Sequence, residues 1–566
     1  MTEKVKRSKL FWIEYVLLVL IVVGSFLLRV LPQLNKVFVA NLVWFRETDP
    51  WYHERLADLV NFPHWDKVDF FAKFPDGASS GYMPMLAWLS FNDHFAAFLP
   101  PLFGVLALVC IYLIGKELFS SKVGLTAALV ASVIPGEFLH RTLLGFTDHH
   151  ALEMFFMPLI ILLLLKVRKT WSLKWTIPLG IAIGFYLLSW AGAALLLLII
   201  GLWVWWECLV CIKDSKLPTH LIKTVSLACV IGVLMSFPYQ GGLTLALTLA
   251  LAGIPVAIWI LVYFLKDPFK ILFALTILVP IALAFLGAKV DYYYLLAPIF
   301  WGGGSWIQEA MPLGPGSILA IYGLAFILAI PAIWFFRNKN PLFLIWAIVF
   351  LVAGIGQRRW GYYLTIPLSL LAAAFTFKIG EWVVPRTKIA TVAIVIIFLI
   401  VPNGRGTLGV ANLPNQMTSD WYVMCTWMKQ NTADAEMFEH IYYANDEKVS
   451  YGIMSWWDYG HWIIRIAHRV PLTSPTQTAT YPSLFYSSST EEQANAEIKG
   501  LNIKYLLIDY EMLTTKWPAI CSHAHRDYTT LKVQSTFSWT LWTEQATTWK
   551  MIYQRGDIKL FERIAP

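Results

Sequence analysis

The sequence predicts a polytopic α-helical membrane protein with a mixed α/β soluble domain at its C-terminal end. Three observations predict it. Of 566 residues, 58% are hydrophobic and only 14% charged, and the mean hydropathy is +0.59; an ordinary globular domain carries about 25% charged residues. The apolar residues are gathered into runs such as LFWIEYVLLVLIVVGSFLLRVL (10–31), and roughly 20 apolar residues in a helix cross a bilayer. From about residue 403 onward the composition turns mixed and polar, with short strand-like and helical stretches such as IKYLLIDY (503–510).

The first run is too long for a cleaved signal peptide, and no small-residue cleavage site closes it. The length rule yields about thirteen apolar segments. They centre near residues 20, 105, 131, 159, 180, 200, 230, 255, 278, 326, 348, 368 and 394. Cytoplasmic connections are rich in Lys and Arg. The N-terminal KVKRSK is therefore placed in the cytoplasm, and the connections after even-numbered segments agree with it. These carry Lys116 and Lys122, KVRK (166–169), KDSK (213–216), KDPFK (266–270), RNK (337–339) and Lys378 to Lys388. The complementary connections face outward: a long loop at about 32–95, HRTLLGFTDHH (140–150), SWAG (189–192), a loop at about 289–315, and GQRRWG (356–361). The expected division is a transmembrane catalytic domain over 1–402 and an extracytoplasmic domain over 403–566.

Cys110, Cys208, Cys211 and Cys229 lie in or beside apolar segments and read as small buried hydrophobes. Cys425 and Cys521 fall in the outer domain, where an oxidising compartment would permit a disulfide between them. The lone C-x-x-C of Cys208 and Cys211 has no second pair and carries no metal role. The net charge of +8 is modest, and no nucleic-acid partner is expected. No Gly-rich nucleotide fingerprint sits in a strand–helix context, so no nucleotide-sugar site is expected.

Polar groups at a membrane surface are costly unless they pair or function, and the outer loops collect them. RETDPWYHERL (46–56) holds Asp49, TDHH (147–150) holds Asp148 and His150, and GSWIQEAMPLGPG (304–316) holds Glu309. Arg141 precedes the second of these, and Arg358 and Arg359 end an apolar helix. Taken singly, each has a bland reading: a turn aspartate before proline, a helix cap, a solvated glutamate, an interfacial anchor. Taken together on one side of the membrane, they offer three acidic ligands and an imidazole. Carboxylates with imidazole suit Mn²⁺ or Mg²⁺, Mn²⁺ tolerating histidine better. Residues two apart on a helix diverge, so Asp148 and His150 share an ion only where the backbone is turned or extended.

SWWDYGHWI (455–463) is the most specific string. Two indole N–H donors beside a carboxylate can donate to a hydroxyl oxygen and accept its proton. With the topology and outer domain, this pentapeptide W-W-D-Y-G resembles the signature of the oligosaccharyltransferase catalytic subunits, single-chain enzymes in archaea and some bacteria. The resemblance covers essentially the whole chain. It implies a C-type glycosyltransferase membrane fold and transfer of a glycan from a polyprenyl phosphate or diphosphate carrier to the asparagine of Asn-x-Ser/Thr, as a single subunit in the cell membrane.

The resemblance implies roles residue by residue. Trp456, Trp457 and Asp458 hold the acceptor's +2 hydroxyl. Asp49 matches the first acidic motif, and Asp148 with His150 the second; these three hold the divalent ion. Glu309 matches the glutamate of the outer-loop motif, although the stretch here reads W-I-Q-E. Arg141 matches an active-site arginine, Arg359 or its neighbour Arg358 the arginine on the carrier phosphate, and Trp190 lines the carrier site. Met512, Lys516 and Ile520, four apart and expected on one helix face, match the motif that packs against the +2 side chain, with Asp509 as its acidic member. Asp49, Glu309 and Arg141 are the catalytic candidates. Three other readings are weaker. A polyprenyl-phosphate glycosyltransferase with lipid or small-molecule acceptors does not need the hydroxyl reader. A flippase predicts mid-membrane charges and internal repeats. An anchored binding protein does not need thirteen segments.

Overall fold

The computed structural model describes residues 3–40, 42–60, 68–79, 84–210, 218–240, 242–264, 308–444, 447–475 and 479–564. Among them, eight helices are long and apolar enough to cross a membrane, from Trp12–Val37 to Lys388–Ala411. Four shorter apolar helices join them: Ser121–Val133, Leu173–Ser189, Leu195–Val210 and Pro341–Gly356. These twelve cover the expected centres except that near 278. That segment, and the loop from 289 to 307, lie outside the described residues.

The chain divides into two compact units. One comprises Met1–Asn35, Phe98–Leu144 and His149–Leu413; the other comprises Lys36–Ala97, Gly145–Asp148 and Pro414–Pro566. The expected boundary at 402/403 falls inside the helix Lys388–Ala411. Its last turns, NGRGTLGVA, are small and polar enough to resemble a loop in the sequence. The loop expected at about 32–95 also groups with the C-terminal region rather than with the membrane helices.

In the first unit, helices pack closely through small residues, as helices do where lipid supplies no hydrophobic drive between them. A Cβ on Gly232 would stand 2.5 Å from Ile183 Cγ2, and one on Gly180 2.7 Å from Ile231 Cβ. These contacts join Thr176–Ser189 to Thr219–Ser236. Arg29, within the first span, is buried and donates to Thr142 Oγ1 at 2.8 Å and to the Ser25 carbonyl at 3.2 Å. A charge inside a span needs such partners.

In the second unit, four strands form one mixed sheet: β1 (Gly452–Met454), β2 (Ile503–Asp509), β3 (Trp549–Arg555) and β4 (Ile558–Arg563), in the order β1-β2-β4-β3. β1 runs parallel to β2, and the other pairs are antiparallel. β2 is buried at every position but Lys504, as befits an inner strand covered on both faces. The first outer loop is held to this domain by Arg55, whose guanidinium grips Asp69 at 3.2 and 3.1 Å and donates to the Tyr442 carbonyl at 2.7 Å. Such a bidentate pair sets geometry as well as energy.

Candidate active site

Asp49 opens the helix Asp49–Leu59, with Pro50 at its first turn. Proline there forfeits no helix hydrogen bond, and a carboxylate at that end is favoured by the helix dipole. One turn on, His53 presents Nε2 2.9 Å from Asp148 Oδ1, both side chains being buried. Asp148 lies in a bend before the helix His150–Thr170. The backbone there is turned, so the divergence of helical i and i+2 positions does not apply between Asp148 and His150.

The first turn of that helix carries a second cluster. Glu153 is fully buried and faces His149 and His150 with one oxygen, Oε1. His149 Nδ1 makes a short contact to it, and His150 Nδ1 lies 3.2 Å away. The other oxygen, Oε2, accepts from the Tyr362 hydroxyl at 3.0 Å and from Tyr363. Tyr363 is hydrogen-bonded in turn to Tyr186 at 2.6 Å. The His149 ring stacks on Trp190, with centroids 5.8 Å apart and planes 11° from parallel. The ligand atoms of His149, His150 and Glu153 lie within 4.8 Å of one another. Trp190, proposed on the carrier side, thus packs against an imidazole of this cluster and against Trp360.

Arginines and glutamates alternate nearby in the same unit. Arg141 donates through Nε to Glu137 at 3.1 Å and through Nη2 to Glu309 at 2.5 Å. Arg358 donates to the other oxygen of Glu137 at 2.6 Å, and Arg359 stands 3.4 Å from Glu309. Burial alone would raise the Glu309 carboxyl, but Arg141 and Arg359 outweigh it and hold it below the usual range. Glu137 is likewise held far down, against its burial, by His140, Arg141 and Arg358. Both glutamates are therefore anions. The arrangement separates two arginines that the sequence left equivalent: Arg358 is engaged by Glu137, Arg359 by Glu309.

The W-W-D-Y-G string follows β1. Trp456 is buried, residues 457–459 form one 3₁₀ turn, and Gly460 begins the helix Gly460–Arg465. Trp457 and Asp458 are half-buried and Tyr459 is buried. A Cβ on Gly460 would stand 2.6 Å from the Thr473 carbonyl and 2.7 Å from Ser474 Cα, so only glycine fits. Tyr459 donates to Asp509 and lies against Trp421 with centroids 4.1 Å apart. Lys516 donates to the Tyr459 hydroxyl at 2.9 Å and stands 3.2 Å from Asp458. The His523 ring meets both indoles, with centroids 6.0 and 5.6 Å away. Burial lowers the pKa of His523, against the pull of Asp458.

Met512, Lys516 and Ile520 do not share one helix. Tyr510–Leu513 is a short turn of helix, and a second helix begins at Trp517. Pro518 has no N–H to continue the first, and its ring would clash with the residue 514 carbonyl. Lys516 nonetheless reaches the motif, while Met512 and Ile520 are wholly buried. Asp509 caps Met512 N–H at 2.9 Å. Cys425 and Cys521 are free, buried thiols and do not pair; Cys110, Cys208 and Cys229 are buried as expected.

Sequence reasoning missed His53, Glu137 and Glu153. A signal existed for each in helical spacing: Asp49 to His53, Glu137 to Arg141 and His149 to Glu153 are all four apart. His461 was also passed over. It is buried, neither ring nitrogen has a hydrogen-bond partner among the described residues, and burial with His53 nearby pushes its pKa down to about 3. It is a neutral imidazole.

Comparison with known proteins gives consistent results. The family model described as oligosaccharyl transferase STT3, N-terminal, matches residues 19–438, and the AglB core domain matches residues 418–513. The dolichyl-phosphooligosaccharide-protein glycotransferase 3 of Archaeoglobus fulgidus is 27% identical, over 92% of this chain and 72% of that protein. An AglB oligosaccharyltransferase from the same organism, solved with an inhibitory peptide and a dolichol-phosphate, superposes with a TM-score of 0.84 at 23% identity, covering 97% of this chain and 80% of that one. An oligosaccharyltransferase of that organism solved with Zn and sulfate superposes with a TM-score of 0.77 at 23% identity, covering 95% and 79%.

Proposed function

This chain belongs to the oligosaccharyl transferase STT3 family, and we propose that it transfers a glycan from a polyprenyl phosphate or diphosphate carrier to the side-chain amide of asparagine in Asn-x-Ser/Thr. It is a multi-pass membrane glycosyltransferase. Its archaeal relatives carry the name of the whole glycotransferase, which supports action as a single subunit. The lysine-rich connections support a cytoplasmic N-terminus and an extracytoplasmic C-terminal domain.

The observation that carries the reading is the mounting of W-W-D-Y-G. Trp456 and Tyr459 are anchored in the domain, and the half-buried Trp457 and Asp458 stand on the turn between them. Asp458 accepts the proton of the acceptor's +2 hydroxyl, and the indoles of Trp456 and Trp457 donate to its oxygen. Met512, Ile520 and the aliphatic stem of Lys516 back the +2 side chain. An acceptor lacking that hydroxyl leaves the buried Trp456 and the half-buried Trp457 and Asp458 without this partner and is disfavoured.

An amide nitrogen is a poor nucleophile because its lone pair is delocalised into the carbonyl. Asp49 and Glu309 accept from its two N–H groups and hold the amide out of conjugation. Glu309 is suited to this because Arg141 keeps it ionised. Arg359 adds a charge-assisted contact to the carrier phosphate. Arg358, engaged by Glu137, is the weaker candidate for that contact. Trp190 lines the carrier. The glycosidic carbon is inverted in one displacement, as the family resemblance implies.

The carboxylates and imidazole of Asp49, Asp148 and His150 are hard and borderline donors that fit Mn²⁺ or Mg²⁺, and these residues would hold the ion. Once bound, it supplies Lewis-acid neutralisation of the leaving phosphate.

The test uses purified protein with lipid-linked oligosaccharide, Mn²⁺ and two fluorescent peptides, one carrying Asn-Ala-Thr and the other Asn-Ala-Ala. A mobility shift of the first alone, abolished by EDTA, is expected. Transfer of sugar to some other acceptor while neither peptide shifts would replace this reading with a general polyprenyl-phosphate glycosyltransferase.

A further inference from the structure

Glu153 has no role in the reading above, yet it is a carboxylate buried completely within a membrane helix. Burying a bare carboxylate is prohibitively costly, so its surroundings must answer for it. They do so with donors. A carboxylate offers about four lone-pair sites. Here Oε1 faces His149 Nδ1 and His150 Nδ1, and Oε2 faces the hydroxyls of Tyr362 and Tyr363. Three of the four sites are hydrogen-bonded, by His149 and the two hydroxyls, and His150 Nδ1 stands 3.2 Å from Oε1.

The consequence falls on the two histidines. A neutral imidazole has two tautomers, and which one forms is set by what each nitrogen faces. A carboxylate oxygen beside Nδ1 keeps the proton there and leaves Nε2 as a lone pair across the ring. Rotation is restricted as well. The His149 ring lies flat on Trp190, and the His150 ring packs on His149 and Tyr362 with centroids 4.1 and 5.0 Å away. The spacing makes this possible: on a helix, Glu153 lies one turn from both 149 and 150.

We propose that Glu153 is a positioning residue: one buried carboxylate, itself oriented by Tyr362 and Tyr363, fixes His149 and His150 as Nδ1–H tautomers that present Nε2. The inference rests on the reading of His150 as a metal ligand. Under that reading Glu153 raises the basicity of the ligating nitrogen and keeps the ring in place, the usual work of a carboxylate behind a metal-bound histidine. Tyr186, bonded to Tyr363, extends the support one residue further.

The experiment measures Mn²⁺ binding to the purified full chain in detergent, without substrates, from the paramagnetic resonance signal of free Mn²⁺. Glu153→Gln keeps the shape and removes the charge. The expected result is a Mn²⁺ dissociation constant raised by about ten- to hundredfold, with glycan transfer recovered by adding Mn²⁺. Glu153→Asp retracts the carboxylate and is expected to shift binding in the same direction by less; it serves if the glutamine variant does not fold. An unchanged dissociation constant in both variants overturns the proposal. Complete loss of Mn²⁺ binding in a folded Glu153→Gln protein also overturns it, by making Glu153 a ligand. His150→Ala separates the premise from the inference. If that variant binds Mn²⁺ as the parent does, the metal reading fails. If His150→Ala abolishes binding while Glu153→Gln leaves it intact, the positioning role alone fails.

Discussion

Arg141 donates from Nη2 to Glu309 Oε2 at 2.5 Å, joining residues 168 apart in the chain. The same guanidinium holds Glu137 through Nε at 3.1 Å, so one planar fork spans two carboxylates. Lysine, a point charge on a flexible stem, does not hold its donors in that fixed planar fork.

Arg141→Ala is expected to lower kcat/KM by about 100-fold or more, the usual cost of losing one preorganised charge at a reacting centre. Arg141→Lys should recover only part of it. The pH profile carries the sharper test. Glu309 is held below the ordinary carboxylate range, so its charge persists to low pH and is lost only as pH falls through that depressed value. Without Arg141 the upward push of burial is less opposed and the value rises. The acid limb of the activity profile should therefore shift to higher pH in the alanine variant. A limb that stays in place would mean that Arg141 does not set the charge on Glu309.

Lys516 stands 3.2 Å from Asp458 and 2.9 Å from the Tyr459 hydroxyl. Asp458→Asn is expected to lower kcat/KM for an Asn-Ala-Thr peptide by at least about 100-fold, since the hydroxyl loses a charged acceptor. Lys516→Met keeps the stem and removes a partly exposed charge, so the loss should stay below about tenfold. Equal losses in the two variants would place the lysine charge, rather than the carboxylate, at the centre of acceptor recognition.

Gly460→Ala tests the mounting rather than the chemistry. The new methyl would meet backbone atoms, the Thr473 carbonyl at 2.6 Å and Ser474 Cα at 2.7 Å. Backbone does not move aside as a flexible side chain does. A destabilisation of about 1–3 kcal/mol is expected, with a lower unfolding temperature and weaker acceptor binding together. A variant that keeps its unfolding temperature and loses only activity would show that Gly460 serves the acceptor directly.

The helices were legible in the sequence because a bilayer demands length and apolarity, which composition records directly. The sheet was foreshadowed only by IKYLLIDY, which is β2. The residues proposed for the site come from a resemblance. Their supports were hidden because they come from far along the chain: Glu153 meets Tyr362 and Tyr363 across 209 and 210 residues, and Arg358 meets Glu137 across 221. Periodicity cannot register such pairs. The single helix expected through Met512, Lys516 and Ile520 failed for a local reason that could have been seen, since Pro518 sits four residues after Thr514. The helix Lys388–Ala411 runs past the expected boundary at 402/403 because glycine and polar residues ended an apolar run without ending its helix.

Glu54 lies on the helix that begins with Asp49, and it lines a cavity of about 570 Å³ with Asp58, Ser90 and Asp93. Arg465 is shared between Asp58, at 3.0 and 3.1 Å, and Asp93, at 3.2 and 3.0 Å. What Glu54 accepts is the Ser90 hydroxyl at 3.2 Å. Burial pushes its carboxyl up to about 8; Arg465 and Ser90 oppose the shift, and Asp93 and Asp58 add to it. The unfolded value is about 4.3, so between the two the folded protein binds the proton and the unfolded chain does not. Stability must then fall as pH rises across that window, by up to about 1.4 kcal/mol per pH unit from this one group, and level off above the folded value. Glu54→Gln carries no proton to lose. It should match the parent near pH 5 and unfold at a higher temperature than the parent at pH 9. Parallel unfolding temperatures for the two proteins across pH 5 to 9 would show that Glu54 is already ionised in the folded state, with Arg465 serving all three carboxylates.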